Sequence, residues 1–140
     1  MTTKVVMVLL TLSLSSLPLF FQDARGQTQA GEQVGNQPPV ADASQDQRVN
    51  EGDLVSLNGS SSFDPDGEIV SYSWGIEDSD DEAPPISLSG KNASVAAFTA
   101  PTVVGNVNAN SYLFELTVTD NDGLMDTATS KIVVEKSPIR

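Results

Sequence analysis

The chain has 140 residues, 7 Lys plus Arg against 19 Asp plus Glu, a formal net charge of −12, and neither histidine nor cysteine. That length suits one domain with some chain to spare. Without histidine the most common general base and metal-ligand nitrogen are gone, and without cysteine so are disulfides, thiol nucleophiles and thiolate metal sites. The acidic balance argues against nucleic acid and against anionic membrane surfaces, leaving calcium, or nothing ionic, as the partner class.

In chain order, Lys4 gives a short positive start and residues 5–21, VVMVLLTLSLSSLPLFF, are largely apolar. Ala24 and Gly26 fit the small-residue positions of a signal-peptidase site, placing the cut before Gln27. The run is interrupted by Ser13, Ser15, Ser16 and Pro18 and falls short of the ~20 apolar residues of a spanning helix. A cleaved signal peptide over 1–26 is the expectation, and an uncleaved N-terminal anchor is the alternative. No later stretch is long or apolar enough to span, so the mature chain is expected to be secreted or held at the cell surface, touching a membrane through that segment if at all. Residues 27–37, QTQAGEQVGNQ, bury too little surface to offset their ordering entropy and read as a flexible linker. A folded domain is expected over 38–136, with a short tail at 137–140.

From Val40 onward the hydrophobic period is two. The pattern predicts strands over 40–43, 54–57, 70–76, 86–88, 95–100, 112–119 and 127–135. The clearest puts Tyr112, Phe114, Leu116 and Val118 on one face and Glu115, Thr117 and Thr119 on the other. In the third strand Val70, Tyr72, Trp74 and Ile76 share a face, which makes Trp74 a core residue rather than an exposed stacking platform. Turn chemistry separates the strands, most plainly at Asp64-Pro-Asp-Gly67 and Asp120-Asn-Asp-Gly123. Seven short strands over about 100 residues indicate an all-β antiparallel sandwich.

The stretch from Phe63 to Trp74, FDPDGEIVSYSW, resembles the signature of the polycystic-kidney-disease (PKD) domain, as does FELTVTDNDGL from Phe114 to Leu124. ISLSG at 86–90 and AFTAP at 97–101 are similar to the branch of that family related to receptor-for-egg-jelly modules, and the opening PPVADA at 38–43 fits as well. The commonest PKD pattern continues after the tryptophan as Asp-Phe-Gly-Asp-Gly. Here Trp74 is followed by Gly75-Ile-Glu-Asp-Ser-Asp-Asp-Glu82, so no role of that turn carries over. The resemblance implies an Ig-like sandwich serving as an extracellular spacer or interaction module, without catalysis.

In an Ig-like topology the loops at 60–67, 90–92 and 120–123 belong to the leading end of the sandwich, where the chain comes in, and those at 78–82 and 102–110 to the trailing end. Asp64, Asp66, Asp120 and Asp122 are thereby expected to approach one another. Four carboxylates suit calcium, which favours six to eight oxygen ligands. The plainer alternative is turn chemistry, with each Asp bonding an amide two residues on. Neither loop is an EF-hand, because the twelfth position is Gly75 in one and Lys131 in the other where that loop needs Glu. The run at 78–82, DSDDE, reads as a solvated acidic loop. Asn58-Gly-Ser60 and Asn92-Ala-Ser94 match the N-glycosylation acceptor pattern.

The serines have no histidine to activate them, and Lys91, Lys131 and Lys136 are too scattered to suggest a Ser–Lys pair. The expected function is a non-catalytic module contacting an extracellular protein or polysaccharide, or serving adhesion or spacing. The alternatives are a structural subunit of a surface layer or fibre, and an accessory domain beside a secreted hydrolase.

Overall fold

The computed structural model describes residues 35–138 and, upstream, two short strands, β1 (Phe21–Gln22) and β2 (Thr28–Gln29). These two pair antiparallel, Phe21 opposite Gln29 and Gln22 opposite Thr28. The remainder of the expected leader over 1–26, and of the linker as far as residue 34, lies outside the described residues, as do the last two residues of the tail. No helix among the described residues is long and apolar enough to cross a membrane.

The domain is built from β3 (Gln47–Asn50), β4 (Leu54–Asn58), β5 (Ile69–Ser79), β6 (Val95–Thr99), β7 (Ala109–Asp120) and β8 (Met125–Glu135). One sheet has the order β3-β8-β7-β5 and the other pairs β4 with β6. Alternating apolar residues from both sheets meet in the middle. Val55 and Leu57 of β4, Ala96 and Phe98 of β6, and Tyr112, Phe114, Leu116 and Val118 of β7 are all buried, and Phe98 stacks on Phe114 with ring centroids 5.0 Å apart. Trp74 is 3% exposed, and its indole N–H donates to Ala93 O at 3.2 Å. This is the all-β, Ig-like sandwich expected from the sequence.

The strands depart from those predicted at three segments and in the phase of β5. Residues 40–43 make a single bridge, Val40 with Phe63, and residues 86–88 form no strand, the neighbouring Ser89 bridging Ala97. Proline precedes each segment, at 38–39 and 84–85, and cannot donate to a ladder. Ala41, Ile86 and Leu88 still pack against the core. Conversely, β3 carries only one aliphatic side chain, Val49, yet pairs parallel with β8 from Gln47↔Ile132 to Asn50↔Glu135. Between the Val40 bridge and β3, Ser44 has a φ of 65°, the left-handed conformation. Bulges between Ile69 and Ser71 and between Ile76 and Asp78 shift the phase of β5. The first bulge leaves Val70, expected inside, 63% exposed, and Ile69 packs on the core instead. Ile76 precedes the second bulge and keeps the phase of Trp74, opposite Phe114, yet is 40% exposed.

Candidate functional site

The two turns that carry the predicted site residues meet at the leading end. Asn121 joins them: its Oδ1 accepts the Glu68 N–H at 2.8 Å, and its own N–H donates to Glu68 O at 3.0 Å. Asp120 closes the second turn from inside. It is 1% exposed, at the last inward position of β7. One carboxylate oxygen accepts the N–H groups of Asp122 and Leu124, both at 2.8 Å, and the other accepts the Asn36 side-chain amide at 3.2 Å. Burial pushes the Asp120 carboxyl up, but the hydrogen bonds from Leu124, Asn36, Asp122 and Gly123 outweigh it and hold the group below its ordinary value. Asp66 accepts the Gln37 N–H at 3.1 Å. Two consecutive residues, Asn36 and Gln37, are thus bonded to carboxylates of two different loops. By sequence both fall in the linker over 27–37, and neither Asn36 nor Asn121 stands out as a structural partner. Amide side chains beside Asp-rich turns were the available signal.

Asp64 and Asp122 sit differently. Asp122 is exposed and accepts the Asn121 side-chain amide at 3.0 Å. Asp64 uses Oδ1 for the Asp66 N–H at 3.4 Å, while its Oδ2 is buried with no hydrogen-bond partner. That oxygen and Asn121 Oδ1 both face the space above Gly67, where an added Cβ would collide with each. Among the described residues, no group of three or more carboxylates is gathered closely enough to hold a metal ion. The structure brings the four predicted aspartates to one end and directs the carboxylates of Asp66 and Asp120 at amides. The turn at 90–92 sits away from this rim, since Lys91 O accepts the Trp74 N–H halfway along β5. The five-residue β4 and β6 end at that level beside strands of 11 and 12 residues.

The trailing end uses its acids in the same way. Asp80 accepts both the N–H and the hydroxyl of Ser111, at 2.7 and 2.9 Å, which ties the acidic loop to the start of β7. Glu51 accepts the N–H groups of Val103 and Ser137 at 2.9 and 3.2 Å. Tyr112 donates its hydroxyl to Pro84 O at 2.8 Å; burial, with the nearby Asp80 charge, pushes the phenol up. The described domain has no pairing of a nucleophile with a base among these residues. Its ends are loops fastened by carboxylates.

A family model described as K319L-like, PKD domain matches residues 43–134. The chain belongs to the PKD domain family. It is 34% identical over 105 residues to Chitinase A of Pseudoalteromonas piscicida, covering 75% of this chain and 11% of that protein. It is 36% identical over 112 residues to the dyslexia-associated protein KIAA0319 of Homo sapiens, covering 79% of this chain and 10% of that protein. The chain therefore spans about a tenth of the length of these relatives. Among solved structures, the PKD domain from KIAA 1837 protein superposes with a TM-score of 0.57 at 30% identity, covering 76% of this chain and 96% of that one. The matching family is a domain family and indicates no catalytic class. In this PKD domain the two signature segments are direct neighbours: Glu68 belongs to the first and Asn121 to the second.

Proposed function

We propose that this PKD domain is a non-catalytic module acting outside the cell, contacting a protein or polysaccharide or spacing other parts of a surface assembly. The observation that carries the proposal is where the chain comes in and goes out. Asn36 is bonded to Asp120 at one end of β7, and Lys136 N–H donates to Asn108 O just before the other end. The 12 residues of β7 span about 37 Å at ~3.4 Å per residue of pairwise rise. A domain whose two connections lie that far apart, each fastened by hydrogen bonds, transmits position along a chain. The kinship with Chitinase A supports the accessory alternative, in which the module works beside a polysaccharide hydrolase. Fractionation of producing cells and co-sedimentation of the full chain with insoluble chitin test the two levels. Recovery in the medium or envelope supports the extracellular reading, and confinement to the cytosol overturns it. Retention on chitin would select the accessory role over pure spacing.

A second proposal concerns calcium. The buried, unpartnered Oδ2 of Asp64 and the Asn121 Oδ1 facing the same space offer two hard oxygens, and calcium completes its shell with carbonyls and water. Such a site is weak, with Asp64 as its principal charge and Asp66 and Asp122 nearby, while Asp120 stays with its amides. A ligand bound only by the folded state raises the melting temperature. Melting in millimolar calcium should exceed melting in chelator, and an Asp64→Asn variant should abolish the difference. Equal midpoints for the unsubstituted chain would remove calcium from the account.

A further inference from the structure

We propose that Asn58 and Asn92 are acceptor sites for N-linked oligosaccharide, and that the sugars cover the exposed Val95 on the outer face of the β4–β6 sheet. The inference rests on the extracellular reading, because the modification belongs to exported chains. Three observations support it. First, both acceptor triplets are presented at the surface: Asn58, Ser60 and Asn92 are exposed and Ser94 is half-buried. Asn58 Oδ1 accepts the Ser60 N–H at 2.9 Å, so its Nδ2 is turned away from the turn it closes. Second, the two triplets form one corner, since Gly59 N–H donates to Ser94 O at 2.7 Å and Asn58 is the cross-strand partner of Val95. Third, the apolar side chain beside them, Val95, is exposed. The outward positions of these two strands are Leu54, Ser56 and Asn58 on β4 and Val95, Ala97 and Thr99 on β6. Leu54 is 79% and Val95 43% exposed. Val95 lies between Asn58 across the sheet and Ser94 along the chain, within reach of the first sugars at either site.

The chemistry is a glycosyl transfer. The side-chain amide nitrogen attacks C1 of an oligosaccharide carried on a polyprenyl diphosphate. The N–C1 bond forms, the bond from C1 to the diphosphate oxygen breaks, and the amide proton is lost as the diphosphate leaves. The chain supplies only the acceptor, and the neighbouring hydroxyl of Ser60 or Ser94 completes the pattern the transferase reads.

The test is secretion of the full chain from a eukaryotic host that attaches N-linked sugars, followed by intact mass before and after peptide N-glycosidase. The expected result is two oligosaccharides per chain, one lost in Asn92→Gln, one lost in Ser60→Ala, and none left in the double variant. Ser60→Ala is the cleaner probe of Asn58, because it removes the hydroxyl while leaving the bond from the Ser60 N–H to Asn58 Oδ1. Enzymatic removal of the sugars should raise binding of a hydrophobic dye severalfold, and Val95→Thr should blunt that rise. Secreted, folded chain at its unmodified mass would overturn the inference while leaving the extracellular reading intact. Dye binding unchanged by deglycosylation would overturn the covering role. Chain that never leaves the cell would overturn both.

Discussion

Gly59 tests the packing on which the sandwich depends. Its backbone is not in the left-handed region, so alanine is conformationally permitted. The obstacle is space. A Cβ at this position would lie 2.6 Å from Leu116 Cδ2, 3.1 Å from Trp74 Cζ2 and 3.2 Å from Ser94 O. Leu116 is fully buried and Trp74 nearly so, so neither can move aside without disturbing its neighbours. Overpacking of this kind costs about 1–3 kcal/mol, and the reduced freedom of the unfolded chain returns roughly 0.4–1 kcal/mol. Gly59→Ala should therefore destabilise by about 1–2 kcal/mol, a fall in Tm of roughly 4–8 °C per kcal/mol for a domain of this size. The one tryptophan makes urea unfolding followed by fluorescence the natural assay. Leu116→Ala alone should cost about 2–5 kcal/mol through the cavity it leaves. In the double variant the new methyl occupies part of that cavity, so the two losses should add to less than their sum by at least ~0.5 kcal/mol. A Gly59→Ala domain as stable as the unsubstituted one, or strict additivity in the double variant, would refute the contact.

Asp120 makes stability depend on acid. Its folded carboxyl lies below its ordinary value of 3.8, so its contribution is complete above that value and is lost as pH falls through the lower folded value. Tm should be insensitive to this group from pH 7 to 5 and fall below about pH 4, and Asp120→Asn should flatten that acid limb; an unchanged limb would exclude the group. Asn121→Ala removes the acceptor of Glu68 N–H and should cost about 1 kcal/mol by urea titration, with no change in the far-ultraviolet circular dichroism. Asn36→Ala should move the acid limb towards higher pH by removing one donor from Asp120, read from the same pH series.

The inward faces of β7 and β8 are legible because each residue repeats the same message at period two, from Tyr112 to Val118 and again at Ile132 and Val134. What the pattern reports is burial, not pairing. Ile86 and Leu88 pack on the core and so look like a strand, although Pro84 and Pro85 precede them and no ladder forms. Gln47–Asn50 lacks the pattern because its place is set by backbone bonds to β8, and those leave no mark in side-chain type. The period of β5 fails at Val70 because a bulge inserts a residue without any local composition signal. The gathering of the Asp64 and Asp120 loops follows from topology once the strands are placed. Which oxygen bonds which amide does not, since Asn36 lies 84 positions from Asp120 in the chain.

The acidity of the chain takes on a structural meaning from these bonds. Where the backbone leaves a ladder it exposes amides that need acceptors, and here the acceptors are repeatedly carboxylates. Asp126 takes the N–H of Ala41, Asp46 that of Lys131, Asp53 that of Asn50, Asp80 that of Ser111, and Glu51 those of Val103 and Ser137. Most of these bonds join segments distant in sequence, the work that disulfides do in many small exported domains. A carboxylate fastening forms without an oxidant and is stronger than a neutral hydrogen bond. It also spreads negative charge over both ends of the sandwich, which keeps copies of the domain apart. The same residues that close the irregular segments therefore help decide what can approach them. A negatively charged polysaccharide or nucleic acid meets repulsion at either end, whereas a neutral glycan or a basic protein surface does not.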